Sequence, residues 1–292
     1  MNSLSLPHRA TRGLTAAATL FAALGLAAAI PAAPAQASPA RAATAQDPTV
    51  RAASAKLPRG SAYMGIGVRT HGGGGAGGGV QPMVTQTEGV DVSSYQGAVD
   101  WTTLWNSGVQ WAYTKATEGT YYTNPDFAQQ YNGPYNVGMI RAAYHFATPD
   151  TTTGAVQADY FVNHGGGWSA DGRTLPGVLD IEWDPYGAAC YGLSQSSMVN
   201  WIASFLNEYH YRTGRWAVIY TATSWWTQCT GNYGGFAAND PLWIANYNGS
   251  PGTLPAGWGY YTMWQYTDSG PYVGDHDKFN GDITRVRALA LG

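Results

Sequence analysis

The sequence predicts an α/β fold, a barrel built on a parallel sheet, and three observations carry that expectation. Short apolar strands alternate with helical patterns along the later part of the chain, the signature of strand–helix units and parallel pairing. That part, from about Val84 to Gly292, has the length of one such domain and can bury a substantial core. One of its strands runs through Gly177-Val178-Leu179-Asp180-Ile181-Glu182 and ends in acid-x-acid, as befits the C-terminal mouth of a barrel, where reactive groups collect.

The elements follow in order. Gly89-Val90-Asp91-Val92 reads as the first strand, and Asp100 then caps a short helix through Leu104 and Trp105 that stops at Gly108. Val109 to Lys115 is the second strand. A helical pattern resumes after Pro125 with Phe127 and Tyr131, and Met139 to Phe146 forms the third strand. Asp150 or Thr151 starts a helix through Val156, Tyr160 and Phe161, which ends in Gly165-Gly166-Gly167 before a fourth strand from Leu175 to Ile181. The clearest helix is Ser194 to Thr213, with Met198, Val199, Ile202, Phe205, Leu206 and Tyr209 at helical spacing and Gly214 as its stop. Trp216 to Tyr220 is the fifth strand. Beyond it Leu242 to Ala245 and Tyr261 to Tyr266 read as strands, while the Gly-, Asn- and Pro-rich stretches between them imply that the last third has lost most of its helices.

Ahead of the barrel the chain reads differently. His8, Arg9 and Arg12 precede an apolar run from Leu14 to Ile30, and Ala35-Gln36-Ala37 offers a small-x-small cleavage site, so residues 1–37 read as an export signal. A membrane anchor is the competing reading, but the run is short, rich in Ala and closed by Pro31 and Pro34. Residues 38–85 are Ala-, Pro- and Arg-rich, then Gly-rich from Gly72 to Gly79 with Ala76 as the one interruption. So little bulky apolar surface predicts a disordered pro-segment or linker, leaving 86–292 as the barrel domain.

Charge divides the chain at the same place. Residues 1–80 carry seven Lys/Arg and one acid, whereas 81–292 carry eight Lys/Arg and seventeen acids. An acidic folded domain argues against a nucleic-acid partner, since phosphate binding needs a basic face. Nearly all of the 12 Trp and 20 Tyr lie in the folded part, where they serve either a core or sugar-stacking platforms. In an exported chain the two cysteines, Cys190 and Cys229, predict one disulfide worth about 3–4 kcal/mol. Two cysteines and scattered histidines leave no metal site to expect, and no cofactor is implied.

Strand side chains alternate with period two, so Asp180 and Glu182 share a face. Carboxylates held close push their pKa values apart, leaving one as a proton donor and the other ionised. Glycoside hydrolysis needs that division of labour. The bland alternative, acids that cap a loop or pair with a cation, is weakened by the scarcity of Lys and Arg. Asp91 near the end of the first strand, followed by Ser93-Ser94-Tyr95-Gln96-Gly97, belongs to the same mouth or is a turn-forming Asx cap.

Eight short segments in one order resemble family 25 of the glycoside hydrolases, the lysozymes of actinomycetes, fungi and phages. They are Gly89-Val90-Asp91-Val92-Ser93-Ser94-Tyr95-Gln96-Gly97, Asp100-Trp101, Lys115-Ala116-Thr117-Glu118-Gly119, Ala143-Tyr144-His145-Phe146, Leu179-Asp180-Ile181-Glu182, Ile219-Tyr220-Thr221, Leu242-Trp243-Ile244-Ala245-Asn246-Tyr247 and Trp264-Gln265-Tyr266. The resemblance implies an irregular TIM-like barrel of eight strands with about five helices, and hydrolysis of the β-1,4 bond between N-acetylmuramic acid and N-acetylglucosamine in peptidoglycan. Glu182 matches the family's general acid, Asp180 its partner carboxylate and Asp91 the acid of the first strand. The fourth acid sits in an Asp-x-Asn-x-Phe pattern, read here as Asp275-His276-Asp277-Lys278-Phe279, so Asp275 takes that role with Asp277 and Asp282 as neighbouring competitors.

Tyr95, Tyr144, Tyr220, Trp243, Tyr247 and Gln265 match strand-end positions that line the family's groove, although for each aromatic a core role competes. Lys115 and Glu118 read as an internal polar pair, and His145 as either a partner of a site acid or a structural histidine. The resemblance favours the substrate's own N-acetyl group as nucleophile, assisted by Asp180. The expected protein is a secreted, extracellular monomer acting on peptidoglycan glycan strands, with no nucleic-acid partner and no membrane contact once the signal is removed. Two rivals remain: a chitinase-like glycosidase, of whose Asp-x-x-Asp-x-Asp-x-Glu motif Leu175 and Val178 replace the first two acids, and a non-catalytic sugar-binding module.

Overall fold

The structure, a computed structural model, describes residues 57–74 and 85–292. The expected export signal, and the expected linker over 38–56 and 75–84, lie outside the described residues. A first short helix, α1 (Val68–His71), belongs to the 57–74 stretch. Strands β1 (Thr87–Val92), β2 (Trp111–Glu118), β3 (Tyr122–Thr123), β4 (Ile140–Phe146), β5 (Val178–Asp180), β6 (Val218–Thr221), β7 (Leu242–Ala245), β8 (Met263–Thr267) and β9 (Asp275–Phe279) follow. The two residues of β3 fold back on β2, and the other eight strands close a barrel in the order β1-β2-β4-β5-β6-β7-β8-β9. Pairing is parallel throughout except for β9, which runs antiparallel to both of its neighbours.

Helices α2 (Trp101–Asn106), α3 (Phe127–Val137), α4 (Gly154–Phe161), α5 (Gln195–Thr213), α6 (Thr223–Thr230) and α7 (Ile283–Leu291) complete the described helical set, seven α-helices where about five were expected. Local chemistry sets several of their ends. Asp100 Oδ1 accepts from the Thr103 amide at 3.1 Å at the start of α2, and Ser194 Oγ from the Ser197 amide at 3.2 Å at the start of α5. Gly214, at φ 72°, ends α5 in the left-handed conformation that favours glycine. The cap of α4 is Thr153, not Asp150 or Thr151, because the Thr151 hydroxyl is bonded into the loop through Thr148.

Three elements of the last third depart from expectation. The charged run Asp275-His276-Asp277-Lys278-Phe279 forms β9, whose outer neighbours supply the pairing that propensity does not. Helix α6 consists of weak helix formers and is held by the buried Trp225, Trp226 and Cys229. Helix α7 is capped by Asp282, whose Oδ1 accepts from the amides of Thr284 and Arg285 at 3.0 and 3.2 Å. That use removes Asp282 from the candidates for a site acid.

The expectation of a stretch without fixed structure does not hold for residues 57–74, which pack on the barrel. Met64 is fully buried and belongs to the same apolar core as Trp111, Tyr144, Trp183 and Trp243. The segment has too little apolar surface for a core of its own, so its order is borrowed from the barrel. Among the described residues no helix is long and apolar enough to cross a membrane.

Inside the barrel an aromatic floor fills the lower half. Trp243 contacts Tyr113, Tyr220 and Trp111 with ring centroids 5.0, 5.6 and 5.6 Å apart. A single disulfide, Cys190–Cys229 with Cα atoms 5.3 Å apart, ties the loop after β5 to the last turn of α6. It fixes the segment that follows Glu182. Replacing both cysteines by serine is therefore expected to lower stability by about 2–4 kcal/mol in a denaturant titration. An unchanged unfolding midpoint would contradict this structural role.

Candidate active site

The C-terminal ends of the parallel strands meet at one mouth, and the reversed β9 presents its N-terminal residue there. Asp91 on β1 lies directly across from Asp275 on β9. A glutamine on β8 organises the pair. Gln265 Nε2 donates to Asp91 Oδ2 at 2.7 Å and reaches Asp275 Oδ2 at 3.5 Å. Its Oε1 accepts from the hydroxyls of Tyr220 at 2.5 Å and Tyr247 at 2.7 Å. Burial drives both phenols well above their ordinary pKa, so they remain donors and fix which way the amide points.

Asp180 is the last residue of β5 and Glu182 follows two residues on, both buried. Among the described residues neither oxygen of Asp180 has a hydrogen-bond partner. Burial, and then Glu182 and Asp91, push its pKa well up, with Lys115 opposing. Burial likewise pushes Glu182 up to about 8, against the pull of backbone N–H groups of Gly67 and Gly65. Asp91 is raised to about 7 by burial, opposed by the bond from Gln265. Asp277, two residues beyond Asp275 and so on the same strand face, is also buried and held well up by burial, Asp91 and Asp275. Five carboxyl groups in so dry a mouth cannot all ionise near neutral pH, so the site retains protons that it can give away.

The remaining predicted residues divide by location. Tyr95 is exposed on the rim, Tyr144 is buried in the wall, and Tyr247 is partly buried. Trp243 lies in the aromatic floor, fully buried. His145 is away from the acids: its Nε2 donates to Gln157 Oε1 at 2.9 Å and its Nδ1 accepts from Thr117 Oγ1 at 2.8 Å. That direction follows because the Gln157 amide nitrogen donates to the Thr148 carbonyl, leaving the oxygen for His145. Burial takes the imidazole down to about 4, and it packs between Phe161 and Phe205, a structural histidine.

Lys115 and Glu118 form a buried ion pair at 2.6 Å. Strict alternation would put residues three apart on opposite faces, but the register shifts between Lys115 and Thr117 and turns both side chains the same way. Glu118 Oε1 also accepts from the hydroxyls of Tyr121 at 2.8 Å and Tyr186 at 2.5 Å. Tyr121 and Tyr186 thus join the site's surroundings without having stood out in the sequence, where nothing distinguishes them from the many other aromatics.

Residues 57–74 cross this mouth. The Gly65 amide donates to Glu182 Oε1 at 2.6 Å and the Gly67 amide to Oε2 at 3.1 Å. The Gly60 amide donates to Glu118 Oε1 at 2.8 Å, and Lys115 Nζ donates to the carbonyls of Gly60 and Ala62. The one sequence signal for this placement is Tyr63-Met64-Gly65-Ile66-Gly67-Val68, an island of bulky residues in an otherwise Ala-, Pro- and Gly-rich stretch.

The chain is similar to known proteins in sequence and fold. The model of glycosyl hydrolases family 25 matches residues 90–275, a span that takes in Asp91, Asp180, Glu182 and Asp275. The chain is similar to lysozyme M1 of Streptomyces globisporus, 48% identical over 240 residues that cover 79% of this chain and 82% of the relative. It is 50% identical over 209 residues to the N,O-diacetylmuramidase of Chalaropsis sp, covering 70% of this chain and 99% of that one. A solved muramidase from Acremonium alcalophilum superposes with a TM-score of 0.70 at 56% identity, covering 70% of this chain and 99% of its own. With the family model spanning most of the barrel and two relatives near half identity, the chain belongs to family 25 of the glycosyl hydrolases.

Proposed function

We propose that this glycosyl hydrolase is a lysozyme that cuts the β-1,4 bond between N-acetylmuramic acid and N-acetylglucosamine in bacterial peptidoglycan. The observation that carries the reading is a buried Glu182, pushed up to about 8, two residues beyond an unpartnered Asp180. A carboxyl group held in its acid form near neutral pH can protonate a glycosidic oxygen. The names of the relatives, lysozyme and muramidase, point to the same substrate.

In this mechanism Glu182 gives its proton to the glycosidic oxygen as the bond from C1 opens. The carbonyl oxygen of the substrate's N-acetyl group attacks C1 and closes an oxazolinium ring. Asp180, with both oxygens unengaged, accepts the acetamido N–H and balances the positive charge that develops, where a dry site makes the interaction strong. Water then attacks C1, breaking the C1–O bond of the oxazolinium ring and returning the N-acetyl group, and passes its proton to Glu182, which restores the acid. Asp91 and Asp275, clamped through Gln265, position the sugar and hold the electrostatics of the mouth. Tyr95, Tyr144, Tyr220 and Tyr247 form the wall along which the glycan lies, over the floor built on Trp243.

Export to an extracellular setting and a monomeric state complete the proposal. The acidic balance of the barrel argues against nucleic acid as partner.

Mass analysis of fragments from purified peptidoglycan is expected to find N-acetylmuramic acid at the new reducing ends, with Glu182→Gln slower by about two to four decades and folded as the parent. Glucosamine ends, or near-parental turnover by Glu182→Gln, would overturn the assignment. Asp180→Asn should lower turnover far more than binding, because its interaction grows only in the transition state. Proton NMR of the first minutes of digestion should show the β anomer, since two displacements restore configuration. Early α product would exclude substrate assistance.

A further inference from the structure

The groups that would receive the glycan are already occupied by this chain. Both oxygens of Glu182 accept backbone N–H groups, from Gly65 and Gly67. Next to that contact the Met64 amide donates to the Tyr144 hydroxyl at 3.4 Å while the Met64 side chain is fully buried. Tyr63 leans on the rim tyrosine Tyr95, ring centroids 5.7 Å apart. His71 stacks on Trp183 at 5.1 Å. Contacts continue to either side: Arg59 pairs with Asp150 at 3.1 Å, Arg69 pairs with Asp268, and Ser224 Oγ donates to the Gly72 carbonyl at 2.5 Å.

The fit depends on glycine at the point of closest approach. Gly65 has φ +83°, and a Cβ there would lie 2.4 Å from the Tyr247 hydroxyl and 2.5 Å from Gln265 Oε1. Any other residue would therefore meet both backbone strain and the clamp that holds Asp91. A Cβ on Gly67 would press on Trp183 at 2.6 Å. The backbone can come close enough to bond Glu182 only because these two positions carry no side chain.

From this we infer that residues 57–74 are a built-in blocking segment, which holds the enzyme latent by occupying its glycan groove until the chain is cut between the segment and β1. The inference rests on the lysozyme reading of the groove. Segment and glycan compete for the same atoms, since a proton donor bonded through both oxygens to amides, under a buried methionine, has no access to a glycosidic oxygen. Tethering makes the competition one-sided. A short link holds the segment at an effective concentration of about the millimolar range, which long-range attraction of a substrate does not easily match. Cutting the link turns retention into an ordinary bimolecular equilibrium, and a segment whose only regular structure is a four-residue helix then has little to keep it in place on dilution.

The test compares three samples of the full-length protein: the parent, the parent carrying a specific protease site within 75–79 and then cut, and uncut Gly65→Leu, which alters no barrel residue. On soluble peptidoglycan below saturation, the cut protein and Gly65→Leu should turn over at least about tenfold faster than the uncut parent. Equal rates in all three would overturn the blocking role. A second readout separates this from failure of the hydrolase reading: binding of a soluble peptidoglycan glycan fragment, followed by tryptophan fluorescence. If no sample hydrolyses, binding by the cut protein and Gly65→Leu but not by the uncut parent still supports occlusion of the groove. Equal binding by all three overturns it.

Discussion

Burial of several carboxyl groups in one barrel mouth is the constraint on which the rest of the site depends. Asp91, Asp180, Glu182, Asp275 and Asp277 are all nearly inaccessible to water, and Lys115, the cation that bears on Asp180, is already paired with Glu118. Charge is costly to keep in such a place, so the cluster holds protons that the same groups would release in water. The barrel bears that cost because β1, β5 and β9 are fixed on both sides by neighbouring strands, with an aromatic floor beneath. The chemistry of proton donation then follows from position rather than from any unusual residue.

Polar satisfaction shows how the two halves of the site differ. Around Asp91, a glutamine and two tyrosines form a chain of hydrogen bonds that orients the carboxylate and leaves it little to do beyond positioning. Around Asp180 no such chain exists, which is the arrangement expected of a group whose partner arrives with the substrate. Glu182 stands between these cases, because its partners are amides of the 57–74 segment. Those bonds pull its pKa down while burial pushes it up, and burial prevails.

How much of this was legible in the sequence follows from the range of the signals. Asp180 and Glu182 could be read locally, because period-two alternation on an apolar strand puts both on one face. Asp91 needed the resemblance to choose between a site acid and a turn cap, and Trp243 could not be assigned at all, since an aromatic in an apolar strand fits groove and floor alike. The charged β9 and the weakly helical α6 were invisible to propensity because their neighbours, not their residues, stabilise them. Asp277 stood in plain view as an alternative to Asp275, yet only the strand register shows both turned inward. Least legible was the 57–74 segment, whose order depends on partners scattered along the barrel sequence from Tyr95 to Asp268.

The central claim is that burial keeps Glu182 in its acid form near neutral pH, and direct titration of that carboxyl group tests it. The chain has four glutamates, Glu88, Glu118, Glu182 and Glu208, so carbon-13 labelling of glutamate side chains gives few signals, and Glu182→Gln identifies the one in question. Followed against pH in the uncut protein, the Glu182 signal should move with a midpoint near 8. A midpoint near 4.5, the value for an unperturbed glutamate, would contradict the account.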